Sequence, residues 1–311
     1  MSLIAPTVPA DALPPTPTRQ LTRIALPVSL EFVFQLGLGM IDQVVVALLG
    51  TLVVAGVGFA NSVTLILFLT FNAVGGGASI LVARAHGAQD RAGASRLLGA
   101  GLVVGTTLSA ITALPLVFGG ERFLSLLGAQ PEVAGAGGPF LSVVALSLPF
   151  ITAAGILSGA LRSTGHARTP MTVALLAVAL NTVLAYGLVT GIGPFPQLGA
   201  VGVGIATIAA YALRAGLLAA QVYGRNILDA ALPKAGQWKR VLSPLLPLSL
   251  PMAATELAWS GGTFLYALLA GRVGTEALAG MQLSNTLEGV FIVASLGLGS
   301  AATVLIGQAL G

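Results

Sequence analysis

The sequence predicts an all-α, polytopic membrane protein: a six-helix lobe followed by the first two helices of a second lobe that repeats it in parallel. Three observations carry this. Charged residues make up only 8% of the 311 positions and mean hydropathy is +0.96, where an ordinary soluble domain is about 25% charged. Eight apolar stretches are long enough to cross a bilayer, which takes roughly 20 residues as helix. None alternates with period two, so they suit helices, which satisfy their own backbone hydrogen bonds in lipid, rather than barrel strands.

In chain order, residues 1–20 hold five of the 17 prolines. They lack a basic segment followed by a continuous apolar core, so they are read as a disordered cytoplasmic tail rather than a signal peptide. The eight spans fall at about 24–47, 53–82, 96–118, 137–160, 170–190, 199–223, 243–270 and 278–308. This divides the chain into a first lobe at 21–224, a cytoplasmic linker at 225–242 and two helices of an incomplete lobe at 243–311. The 41 glycines, among them Gly75, Gly76 and Gly77, permit close helix approach.

Eleven of the 14 cations, Arg19, Arg23, Arg84, Arg91, Arg96, Arg162, Arg168, Arg225, Lys234, Lys239 and Arg240, flank the same side of the predicted spans. Arg122 and Arg272 flank the other, and Arg214 lies within the sixth span near its inner end. The positive-inside rule then places both termini in the cytoplasm, as an even span count requires. The basic pI of 10.0 does not imply nucleic acid, because no basic run exceeds two residues and basic-aromatic interleaving is missing. Without cysteine there is no disulfide framework, thiolate nucleophile or Cys-ligated metal.

Residues 53–87 align without a gap on 277–311 at an offset of 224, with eight of 35 positions identical, including Asn61 with Asn285, Gly75 with Gly299 and Gly87 with Gly311. Upstream, LPVSL at 26–30 matches LPLSL at 246–250. Spans seven and eight therefore repeat spans one and two in the same direction, about an axis along the membrane normal. Four helices of the repeat are not in this sequence, so a truncated or shortened transporter is expected.

Insertion scales assign an Asp at the centre of a spanning helix about +2.5 to +3.5 kcal/mol. Asp42, in LGLGMIDQVVVALLG, therefore needs a compensating role. At helical spacing Glu31, Gln35, Leu38 and Asp42 share one stripe. Glu256, Ser260 and Thr263 form a second on span seven, and Asn61, Asn72 and Ser79 a third on span two. A central cleft lined by these faces is the expected site. Asp42 is the expected coupling carboxylate, since a neutral Asn would serve more cheaply as helix glue. A change in exposure between inward- and outward-facing states would load and release its proton. Glu256 is the next candidate, with Gln282 and Glu288 further along the second lobe. Glu31 is close enough to the inner surface to reach headgroups, and His86 and His166 read as loop residues without metal-ligand spacing. Trp238 and Trp259 read as interface anchors.

The stretch GMIDQVVVALLG at 39–50 resembles the Asp-bearing first helix of the multidrug and toxic compound extrusion (MATE) transporters. GTEALAGMQLSN at 274–285, GALRSTGHARTPM at 159–171, the Asn-x-x-Leu element at Asn181 to Leu184 and LGAVGVGIAT at 198–207 follow in the family's order. The resemblance covers about residues 22–311. It implies alternating-access export of small amphipathic or cationic compounds across the inner membrane, driven by proton or sodium, with the lipid bilayer as partner and no cofactor. It also places Asp42 and Asn181 in a cation-coupling network, with Asn181 as the hydrogen-bond partner of Asp42. Two departures accompany it: Ala185 stands where some members carry an aspartate, and Glu256 lies about one turn early relative to a comparable glutamate. A lipid-linked saccharide flippase of the same superfamily and a nontransporting remnant are the alternatives. An intramembrane enzyme is disfavoured, since no span holds His or Cys and no paired catalytic motif stands out, and no P-loop points to ATP.

Overall fold

The computed structural model describes the backbone of residues 17–273 and 275–311, and their side chains except at 17, 19, 74, 235, 264 and 267–290. Among the described residues all regular structure is helical: α1 (Pro17–Ala47), α2 (Thr51–Gly87), α3 (Arg91–Leu126), α4 (Pro131–Val144), α5 (Leu148–Ser163), α6 (Arg168–Thr190), α7 (Ala200–Gly224), α8 (Trp238–Val273) and α9 (Thr275–Ala309). Among the described residues eight spans are long and apolar enough to cross a membrane, with α4 and α5 together forming the fourth. α1 begins at Pro17, inside the segment predicted as tail, and residues 1–16 lie outside the described residues. The predicted linker is shortened, because α8 starts at Trp238.

Local chemistry explains the interruptions. The fourth span breaks into α4 and α5 at a single 3₁₀ turn, Ala145–Ser147. Pro149, in the first turn of α5, has no N–H to return to Ala145. α3 leaves helical geometry at Gly119 (φ −144°, ψ 34°), one turn after Pro115, where the predicted third span ends. Asp90 caps α3, its Oδ1 accepting from the Gly93 N–H at 2.7 Å. α6 stops at Gly191, whose left-handed φ of 72° lets its N–H bond the Gly187 carbonyl at 2.8 Å.

The internal repeat predicts which helices should pair. Exchanging the two repeats swaps α1 with α8 and α2 with α9, so an α1–α9 contact must have an α2–α8 image. Both pairs pack extensively, and α2 packs on α9 across the axis itself. The same serine of LPVSL and LPLSL is used each time. A Cβ added at Gly297 on α9 would stand 3.1 Å from the Ser29 Cβ, and one added at Gly77 on α2 would stand 3.3 Å from the Ser249 Cβ. At the end of the bundle bearing Arg84, Gly87 abuts Gln308 while Gly311 abuts Arg84, and these two contacts are images at the offset of 224. A Cβ at Gly307 would lie 2.9 Å from that of Ala83, its own repeat mate, so the pseudo-twofold axis passes between them. Small residues allow this approach where lipid supplies no hydrophobic drive between helices.

The first lobe holds two large apolar clusters. One, around Val57, Leu116, Phe140, Leu148 and Val203, fills the end remote from Arg84. The other, around Val82, Leu98, Ile156, Leu161 and Leu218, fills the basic end. A thin layer of Leu38, Ile151, Ala177, Ala210 and Tyr211 separates them, and the buried polar side chains of α1 and α7 gather around it.

Candidate functional site

Asp42, near the end of α1, is 5% exposed. Thr207 Oγ1 on α7 donates to its Oδ2 at 3.2 Å. That hydroxyl has one proton, and the Val203 carbonyl competes for it at 3.0 Å. Asn181 on α6 is fully buried beside Asp42. Asn181 Oδ1, Asn181 Nδ2 and Asp42 Oδ1 are all buried without a hydrogen-bond partner. Three helices thus bring together a carboxylate, a carboxamide and a hydroxyl with unused hydrogen-bonding capacity. Such an oxygen-rich set can bind a proton or a hard monovalent cation. Ala185, one turn beyond Asn181, is packed into the apolar cluster.

Asp42 forms part of the wall of a cavity of about 620 Å³ between α1, α2, α4 and α7. Gln35, Leu38, Asn61, Phe68 and Tyr211 share that wall, and Asp42 is the one charged residue among its described lining. A second, small cavity of about 20 Å³ lies toward the basic end; Gln35, Phe68, Ile151 and Tyr211 line both. Asn72 belongs to this second cavity. Ser79 is in neither: its hydroxyl pairs with Ser163 Oγ at 3.0 Å and seals α2 against α5. Glu256 and Ser260 are half-buried on α8 and line neither cavity. Thr263 is exposed and bonds back to the Trp259 carbonyl of its own helix. The side chains of Gln282 and Glu288 lie outside the described residues. His86 and His166 are exposed, and Trp259 is half-exposed.

One constellation runs against the sequence reading. Glu31, expected near the headgroups, is 2% exposed. Its Oε2 accepts from Arg162 Nη1 at 2.8 Å and its Oε1 from Arg214 Nη2 at 2.5 Å, tying α1 to α5 and α7. The reason is side-chain reach: α1 packs mainly on α6 and α9, and the long side chains of Arg162 on α5 and Arg214 on α7 extend to the carboxylate. A signal for it exists in the sequence. Thr207, Tyr211 and Arg214 stand at i, i+4 and i+7 on α7, a polar stripe as clear as that of α1, and an arginine inside a span demands an anion. Replacing Glu31 with glutamine leaves the buried Arg214 guanidinium and the part-buried Arg162 guanidinium together without an anion, and the expected cost is about 3–5 kcal/mol, or roughly 10 °C in Tm. Thermal unfolding in detergent measures it; an unchanged Tm would mean the arginines reach water.

A six-helix lobe with two more helices docked by a pseudo-twofold, and a largely apolar cavity carrying one carboxylate, define a multi-pass helical membrane protein. The MatE family model matches residues 27–187 and 251–311. The chain belongs to the MatE family. It is 31% identical over 98% of its length to the "Probable multidrug resistance protein NorM" of Deinococcus radiodurans, spanning 67% of that protein. It is 28% identical over 93% of its length to the protein of the same name from Thermotoga maritima, of which it spans 62%. A crystal structure of MATE in the bent conformation superposes with a TM-score of 0.86 at 23% identity, covering 94% of this chain and 65% of that one. That likeness shows the fold.

Proposed function

We propose that the chain forms the larger part of a secondary-active exporter of amphipathic, cationic compounds, coupled to inward proton or sodium flow and working by alternating access. The observation that carries the reading is Asp42: a buried carboxylate, with no cation among the described lining of a 620 Å³ cavity. Its negative charge attracts a cation, while Leu38, Phe68 and Tyr211 supply apolar and aromatic surface for a hydrophobic body. A flippase for anionic lipid-linked saccharides would call for the opposite charge in this wall. The names of the relatives support drug export, and the excess of cations at one end supports a cytoplasmic location for both termini in an inner membrane.

Thr207 gives the coupling step a physical form. With Asp42 ionised, the hydroxyl turns its proton toward Oδ2. With Asp42 protonated, it donates to the Val203 carbonyl and accepts from the carboxyl instead. Both charge states are thereby accommodated without moving a helix, and Asn181 can donate or accept likewise. A bound cationic substrate favours the ionised state, a proton or sodium the discharged one, which makes their binding competitive.

The test is efflux of a fluorescent organic cation from proteoliposomes under an imposed pH or sodium gradient. This chain alone and the chain extended by four further helices are compared with empty vesicles. Transport by the extended chain under either gradient is expected. Its failure under both, with the protein folded and inserted, would favour a nontransporting remnant and overturn the proposal.

A further inference from the structure

The Glu31 cluster is not neutral. Two guanidiniums face one carboxylate, and each spends a single terminal nitrogen on it, end-on rather than as a fork. Both carboxylate oxygens are thereby used, while Arg162 Nε and Arg214 Nε are left buried and without an acceptor. Ser158 Oγ, on the same turn of α5 as Arg162, is also buried and unpartnered. All three side chains line the 20 Å³ cavity, where Gln35, Asn72 and Tyr211 add further polar groups. Arg214 and Ser158 are 5% and 1% exposed, and the Arg162 side chain 14%. Asp42 is the nearest other carboxylate along α1. It is three helical turns away, about 16 Å, in the separate large cavity and bonded to Thr207.

An uncompensated positive charge at this depth is costly, and guanidinium N–H groups without acceptors add to the cost. Space of about 10–15 Å³ already admits a water-sized particle, so a cavity of about 20 Å³ suits a monatomic ion or a water rather than an organic substrate. A water would satisfy two hydrogen bonds but leave the charge. A halide would accept from several donors at once and cancel it. We propose that the cavity lined by Glu31, Arg162, Arg214 and Ser158 binds one small monovalent anion of the halide class. Such an ion would lock α1, α5 and α7 into one rigid unit beneath the large cavity. This assignment does not depend on the transport reading.

Purified protein is melted in sodium chloride, bromide, gluconate and sulfate at matched ionic strength. Chloride and bromide should raise Tm above gluconate and sulfate by about 2–4 °C. The Ser158→Ala variant, which removes a donor and keeps every charge, should lose most of that difference while folding normally. Crystals grown in bromide should show an anomalous peak between Arg162 and Ser158. Equal Tm in all four salts, or a cavity without anomalous signal, would assign the space to water and overturn the proposal.

Discussion

Asp42→Asn in the extended protein reduces gradient-driven efflux to the level of empty vesicles. The substitution is nearly isosteric, so the cavity keeps its shape and Thr207 still has an oxygen to bond. What disappears is the ability to alternate between charged and neutral forms, the quantity that a proton or sodium gradient acts on. Loss of folding would give the same efflux result and is separated by thermal unfolding. Removing a buried charge that has one part-time hydrogen bond should leave Tm equal to or above that of the parent. Undiminished efflux with asparagine at this position would remove Asp42 from the coupling mechanism, whatever the transport activity of the protein.

A disulfide between cysteines placed at 83 and 307 stops transport, and a reductant restores it. Residues 1–311 hold no cysteine, so within them A83C/G307C supplies the only thiols. The two positions are repeat mates on the pseudo-axis, with a Cβ at 307 placed 2.9 Å from that of Ala83. A disulfide spans Cβ atoms about 3.5–4.5 Å apart, so the helices need only a slight outward shift to accept it. If the lobes rock, α2 and α9 must separate at this basic end when the cavity opens toward it. The cross-link holds that end shut. Each single-cysteine variant serves as control for the tightness of the site. Continued transport with the bond fully formed, verified by loss of thiol labelling, would mean that this contact is static and that access changes elsewhere.

The polar stripe of α1 was legible from residue spacing alone, because a helix has a fixed angular period and the stripe is a property of one helix. Gln35, Leu38 and Asp42 do face one cavity, and Glu31 faces its smaller neighbour. The stripe on α8 was equally regular, yet Glu256 and Ser260 line neither cavity. Periodicity shows that a face exists, and packing selects what it meets. Glu31 shows the same limit differently. Depth along a helix suggested headgroups as its partner, whereas the reach of Arg162 from α5 and Arg214 from α7 decided that it would pair with two arginines.

By itself the sequence determined that this is a helical membrane protein, how many spans it has, and that spans seven and eight repeat spans one and two. These follow from hydropathy, length and direct self-comparison, all properties read along one chain. It also marked Asp42 as too expensive to be incidental, since the cost of a carboxylate in lipid does not depend on its neighbours' identity. Only the tertiary structure decided that Thr207 and Asn181 converge on that carboxylate, that Ala83 and Gly307 meet on the axis, and that Glu31, Arg162 and Arg214 share one cluster. The physical reason is that partner choice among distant polar residues depends on helix rotation and approach. Those are set by glycine and serine contacts between helices, such as Ser29 on Gly297 and Ser249 on Gly77, to which hydropathy is nearly blind.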